Sequence, residues 1–184
     1  MEAKSPIALM LIDFQRDFLR PDGRMPVAAG HVEPVLAAAG RAAAFARRSA
    51  IPVVAIGNEF EPGDWLGNLF RRRASIRGSP GALWDERLPL DGARYLPKAQ
   101  CDAFSNPQLD ATLRSLGVKR IVVAGLFAQA CVSATARSAL ARGFEVSLLA
   151  DAIAGSSDAS RERAIGRLVK KGARRCHDMA TAVV

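Results

Sequence analysis

The sequence predicts an α/β fold, a doubly wound parallel sheet with helices on both of its faces. Two observations carry this expectation. Short apolar runs alternate with longer alanine-rich or amphipathic stretches along the chain, the rhythm of βαβ units. Several of those runs, IALMLID at 7–13 and RIVVAGL at 120–126 among them, are apolar at successive positions instead of alternate ones. Such runs suit strands covered on both faces, with crossovers lying above and below the sheet.

Each element has its own signal. The run at 7–13 is a first strand that stops at the carboxylate of Asp13. The turn formers Pro21, Asp22, Gly23 and Pro26 follow, and residues 32–49 form an alanine-rich helix. PVVAIGN at 52–58 is the second strand. Residues 59–94 hold several Gly and Pro, both tryptophans and only short helical pieces. So long an irregular segment inside a compact domain points to a lid or pocket wall. ARYLPK at 93–98 is a short strand, and Asn106 with Pro107 supplies the N-cap and first-turn proline of a helix closed by Gly117. RIVVAGL is a strand, Gln129 to Arg142 a helix ended by Gly143, and FEVSLLAD at 144–151 the next strand. Ser157 or Asp158 caps a helix reaching about Lys171, and ARRCHDM supplies a final short strand.

A chain of 184 residues fits one domain, 1–184, able to bury a core without metals or disulfides. The apolar run near the start lacks a small-residue cleavage site, so no signal peptide is expected. No stretch approaches the roughly 20 apolar residues of a membrane helix, so no membrane partner is expected either. Three scattered cysteines, Cys101, Cys131 and Cys176, point to reduced thiols and a cytoplasmic location. The net charge of +8 raises the question of nucleic acid. The basic clusters (Arg47-Arg48, Arg71 to Arg73, Lys170-Lys171 with Arg174-Arg175) sit near the ends of separate elements, with no recognisable DNA- or RNA-binding motif. They read as solvated surface, with no nucleic-acid partner, although a positive field can draw in an anionic small substrate.

In open parallel sheets ligands sit beyond the carboxyl ends of the strands. Asp13 ends the first strand, Lys98 ends the strand before the Asn106 cap, and Cys131 opens the helix after RIVVAGL. Singly, these are an ordinary turn residue, a surface lysine and a core thiol. Their joint placement on one edge is the signal. A cysteine at a helix start meets unpaired N–H groups that favour its thiolate, and an ammonium adds to that. A carboxylate can take the thiol proton and return it to a leaving amine, while backbone amides hold an oxyanion. This acyl-transfer set needs no histidine, metal or cofactor, and His31 and His177 lie far apart in the sequence.

Position also nominates residues for contact with a small-molecule substrate. Phe14, Gln15 and Phe18 follow the first strand, and Asn58, Glu59 and Phe60 the second. Trp65, Phe70 and Trp84 lie in the irregular segment, and Phe127 lies in the cysteine loop. For any one of these rings core or subunit packing is the commoner role, except for Phe127, whose loop must face the nucleophile. Gln15 can orient Asp13 or bind substrate, and Glu59 is a pocket wall or a solvated loop residue. Cys101 and Cys176 read as structural, since neither combines a helix start with charged partners.

Three blocks carry a family resemblance: LIDFQRDF around Asp13, YLPKAQCDAFSNPQLDATLRSLGV around Lys98, and GLFAQACVSATARSALARGFEV around Cys131. They resemble the signature blocks of the isochorismatase-like cysteine hydrolases, which include nicotinamidases, N-carbamoylsarcosine amidohydrolase and related amidases. The third block, with Gly125, Cys131-Val132, Thr135-Ala136 and Ala139, is the most specific. The resemblance covers nearly the whole chain. It implies an isochorismatase-like, Rossmann-like three-layer fold, a homo-oligomer, and hydrolysis of a small C–N-bonded substrate through a thioester. It implies that Cys131 is the nucleophile, Asp13 the base and Lys98 the support of the thiolate. The oxyanion amides map to Phe127 and Cys131, with a non-proline cis peptide between Leu126 and Phe127. Two departures are visible. GNEFEPGDW stands where nicotinamidases have an Asp-x-His-x-x-His type metal site, which argues against a metal and against nicotinamide. Ala128-Gln129 replaces the Thr-Asp of many amidases, and Phe127-Ala128 is closer to the vinyl-ether-cleaving isochorismatases, which lack the cysteine. A vinyl-ether hydrolase and a non-catalytic binding module on the same fold stay open as other readings.

Overall fold

The computed structural model describes residues 6–183. Residues 1–5, the first part of the segment read above for a signal peptide, lie outside them. Six parallel strands form one sheet: β1 (Ile7–Ile12), β2 (Val53–Asn58), β3 (Arg94–Lys98), β4 (Arg120–Gly125), β5 (Glu145–Ile153) and β6 (Arg174–Cys176). Their order across the sheet is β3-β2-β1-β4-β5-β6. The chain therefore builds outward from β1 to one edge, then returns across β1 and builds to the other. The reversal between β1 and β4 is the topological switch point at which such sheets bind ligands.

The continuous apolar runs are explained by burial on both faces. Ile7, Leu9 and Leu11 of β1 enter one cluster, and Ala8, Met10 and Ile12 enter another. The first cluster is covered by α2 (Ala29–Arg48) and α7 (Met179–Ala182), the second by α4 (Pro107–Ser115), α5 (Ser133–Ala141) and α6 (Asp158–Val169). Alanines 38, 39, 42, 43 and 46 form the buried stripe of α2, and their small size lets the helix backbone approach the strands closely. Two short helices, α1 (Arg16–Leu19) and α3 (Trp65–Phe70), lie in the connections on either side of α2 and β2.

Element boundaries differ from the sequence expectation in a few places. Helix α2 begins three residues earlier than residue 32, carrying Pro34 inside its early turns, and β5 runs on to Ile153. The expected helix 129–142 is split: residues 128–132 form a π turn, with Val132 N donating to Phe127 O, and α5 starts only at Ser133. Asn106 accepts from Gln108 N as the N-cap of α4, and Ser157 from Ser160 N as that of α6. The helix capped by Ser157 ends at Val169.

Register fixes what stands at the carboxyl rim. Ile12 pairs with Ile56 on one side and Gly125 on the other, and Asn58 pairs with Lys98 at the end of β2 and β3. A Cβ on Gly125 would sit 2.5 Å from Ile12 O, at a φ of 152°, so only glycine lets β4 lie this close to the end of β1. Pro97 is accommodated because β3 is an edge strand.

Candidate active site

Four side chains at or just beyond the carboxyl ends of four strands meet in a closed cluster. Asp13 leaves β1 with φ 61°, a left-handed conformation that aspartate tolerates better than most residues. Asn58 and Lys98 are the last residues of β2 and β3, and Cys131 lies in the π turn after β4. Lys98 Nζ donates to Asp13 Oδ2 at 3.0 Å, to Asn58 Oδ1 at 2.5 Å and to Cys131 Sγ at 3.4 Å, which uses all three ammonium hydrogens. Asn58 Nδ2 donates to Asp13 Oδ2 at 2.8 Å and reaches Cys131 Sγ at 3.7 Å. Asp13, Asn58, Lys98 and Cys131 are all buried. The structure thus brings together the three expected chemical groups and adds Asn58 as the bridge among them.

Burial sets the electrostatics. Asp13 is held well above the usual carboxylate range, by burial first and by Cys131 next, with Lys98 pulling the other way. Burial alone would lower Lys98, but Asp13 and Cys131 outweigh it and keep the ammonium above its ordinary value. Oδ1 of Asp13 is buried and makes no hydrogen bond among the described residues. An orphaned oxygen on a basic carboxylate is an acceptor waiting for a proton.

The cysteines depart from expectation. Cys131 is not at an α-helical N-terminus, and its thiol is raised, by a hydrogen bond with Cys101 first and by burial second, against Lys98 and Asp13. Cys101, expected to be structural, lies within hydrogen-bonding reach of Cys131 and faces Lys98, Asp13 and Arg71. That hydrogen bond, with Lys98 adding to it against burial, brings Cys101 down to about 6. Cys101 stands three residues beyond β3 in an irregular bend, where sequence offers no periodic signal. Cys176 remains structural: buried, it donates to Leu148 O at 3.3 Å.

The other nominated residues separate into supports and surface. Gln15 Nε2 donates to Asn58 O at 2.8 Å and Ala82 O at 2.6 Å, and its Oε1 accepts from Asn58 N at 2.8 Å. Both amide hydrogens are spent on backbone, so Gln15 orients Asn58 and has none left for a substrate. Phe14 is fully buried against Trp84, and Phe18 packs edge-on against Phe127 with ring centres 5.8 Å apart. These two rings form core behind the site. Glu59 is half-buried, accepting from Tyr95 Oη at 3.1 Å, with Arg77 Nε at 3.6 Å. Trp65 stands exposed on α3 together with Leu66, Leu69 and Phe70. The Leu126–Phe127 peptide is cis, and Phe127 precedes the π turn that carries Cys131.

A hollow of about 340 Å³ lies between α2 and residues 177–180 and touches none of the four clustered side chains. A hollow of about 280 Å³ reaches the end of β3 at Pro97 and Lys98. Among the described residues no group of three or more His, Cys, Asp or Glu side chains is arranged to hold a metal ion, and no helix is long and apolar enough to cross a membrane.

The chain is similar to known proteins over most of its length. The isochorismatase domain matches residues 7–177. The chain is 31% identical over 180 residues to the ureidoacrylate amidohydrolase RutB of Methylobacterium radiotolerans, covering 85% of this chain and 70% of that one. The N-carbamoylsarcosine amidase of Thermoplasma acidophilum superposes with a TM-score of 0.80 at 28% identity, covering 92% of this chain and 94% of that one. The pyrazinamidase of Pyrococcus horikoshii, solved in complex with zinc, gives 0.82 at 29% identity, covering 93% and 98%.

Proposed function

The chain belongs to the isochorismatase family, and on that footing we propose that it is a cysteine hydrolase cleaving a C–N bond of a small amide, carbamoyl or imide-like substrate. The observation that carries the reading is the Cys131 sulfur 3.4 Å from the Lys98 ammonium, which also holds Asp13 at 3.0 Å. A thiol, a base and a cation at one point make up the set that acyl transfer needs.

In this reading Asp13 takes the thiol proton of Cys131. Its raised pKa suits that task, because a more basic carboxylate lies closer to a thiol in proton affinity. The N–H donors of Lys98 and Asn58 then stabilise the thiolate. Sulfur attacks the carbonyl carbon, and the backbone amides of Phe127 and Cys131 receive the oxyanion. As the tetrahedral species collapses, Asp13 returns its proton to the departing nitrogen and a thioester remains. Water activated by Asp13 then releases the acid and regenerates the thiol.

The amidohydrolase and amidase named above direct the first panel of substrates to ureido and carbamoyl acids, with primary amides beside them. The test is ammonia release from that panel by the wild-type chain and by Cys131→Ala. Turnover by the wild type alone supports the reading, and equal turnover by both removes Cys131 from the chemistry. The exposed apolar side chains of α3 suit a homo-oligomer, which light scattering measures. Three unpaired thiols suit a reducing, cytoplasmic compartment.

A further inference from the structure

Cys101 has no part in the acyl transfer derived above, yet it is placed as deliberately as the residues that do. The segment carrying it is tied to the helix that follows Cys131. Ala103 N donates to Thr135 Oγ1 at 3.0 Å, and Ser138 Oγ donates to Asp102 Oδ2. Thr135 and Ser138 stand four and seven residues beyond Cys131, on the same helical face. These bonds hold residues 102 and 103 beside that face, and the adjacent Cys101 falls within hydrogen-bonding reach of the Cys131 sulfur. The two thiols differ in access, Cys101 being exposed and Cys131 buried.

We propose that Cys101 and Cys131 form a peroxide-responsive disulfide pair, in which the exposed thiol meets a hydroperoxide first and the buried thiol closes the bond. In the first step the Cys101 thiolate attacks the outer peroxide oxygen. The O–O bond breaks, Cys101 becomes a sulfenic acid, and the alkoxide or hydroxide leaves with a proton from solvent. In the second step Cys131 sulfur attacks the Cys101 sulfur, the S–O bond breaks, and the hydroxyl leaves as water with the Cys131 thiol proton. The peroxide is thus reduced by two electrons and the thiol pair oxidised by two. An external dithiol reverses the bond by exchange. The low pKa of Cys101 and the ammonium of Lys98 both favour the first step.

The consequence is protection. A buried nucleophile joined to its neighbour cannot be driven on to sulfinic or sulfonic acid, whereas a lone thiol can. Loss of hydrolysis on oxidation rests on Cys131 being the nucleophile, but formation of the disulfide does not.

The experiment treats the full chain with a small excess of hydrogen peroxide, blocks remaining thiols with iodoacetamide and maps the peptides by mass. The expected product is a Cys101–Cys131 cross-link, with Cys176 still alkylatable after unfolding. Dithiothreitol should restore Cys131 labelling in the wild type at least about tenfold better than in Cys101→Ser, where Cys131 gains oxygen irreversibly. Cys101→Ala, alike in lacking the thiol but not in polarity, should match Cys101→Ser, and Cys176→Ser should match the wild type. Oxidation of Cys131 without the cross-link, or equal recovery with and without Cys101, would overturn the proposal. A reversible cross-link that leaves hydrolysis untouched would preserve the pair and sink the nucleophile instead.

Discussion

Two regions meet at the carboxyl rim and are held by different means. The cluster of Asp13, Asn58, Lys98 and Cys131 is positioned by strand register, and its members bond chiefly to one another. The segment from residue 59 to 93 is held by polar groups reaching its backbone. Asp17 accepts from Ser75 N at 2.7 Å, Gln15 binds Ala82 O, and Trp84 Nε1 donates to Leu88 O at 2.7 Å. Its helix α3 leaves Trp65, Leu66, Leu69 and Phe70 exposed. The sheet sets where charge sits, while the segment shapes the surroundings and meets the cluster through Gln15 at Ala82 O. In such a division, reaction type belongs to the rim and selectivity to the segment.

That contrast breaks most visibly at the rim. Cys131→Ala and Asp13→Asn should each lower kcat on the order of 10⁴-fold, measured on the first compound that turns over. If Cys131→Ala kept its rate while Asp13→Asn lost it, the reaction would be of the vinyl-ether type. Lys98→Ala strands the buried Asp13 carboxylate and should cost roughly 3–5 kcal/mol in urea unfolding, besides its effect on rate.

Thiol chemistry sharpens the contrast. At neutral pH, iodoacetamide should modify Cys101 on the order of a hundredfold faster than Cys176 in the folded chain. Labelling of Cys101 should fall as pH drops through about 6, where its thiolate takes a proton. Cys176, pushed up to about 11 chiefly by burial, should label only as pH climbs toward that value. Identical pH profiles for the two would remove the electrostatic distinction between them.

Smaller effects belong to the supports. Gln15→Ala leaves Asn58 N and Ala82 O without their partner and should cost about 1–3 kcal/mol, with a lower kcat through misplacement of Asn58. Trp65→Ala and Phe70→Ala should change stability of the isolated chain by no more than about 0.5 kcal/mol. A fall in kcat/KM beyond about tenfold in either variant would move α3 from the surface into the substrate's path.

What the sequence made legible follows from the same division. Asp13, Lys98 and Cys131 were readable because apolar runs mark strands, and a parallel sheet delivers every strand end to one rim. Asn58 was readable as a rim residue, but its bridging role depends on register with Lys98, which one sequence does not display. The π turn was hidden because GLFAQACV reads as the start of an ordinary helix. Cys101 was missed because two side-chain hydrogen bonds across more than thirty residues place it, Ala103 to Thr135 and Asp102 to Ser138. Phe14 and Phe18 were nominated by proximity to Asp13, yet strand and helix geometry turn both into the core.

The ammonium of Lys98 is supplied by β3, a strand with a single hydrogen-bonded neighbour. Outermost strands fray before inner ones, so the ion pair hangs on the part of the sheet that opens most cheaply. Partial release of that strand would leave the remaining five in place while uncoupling sulfur from its counter-ion. Mild denaturant should therefore silence the thiol chemistry before far-ultraviolet dichroism registers any melting, making catalytic loss an early gauge of edge breathing.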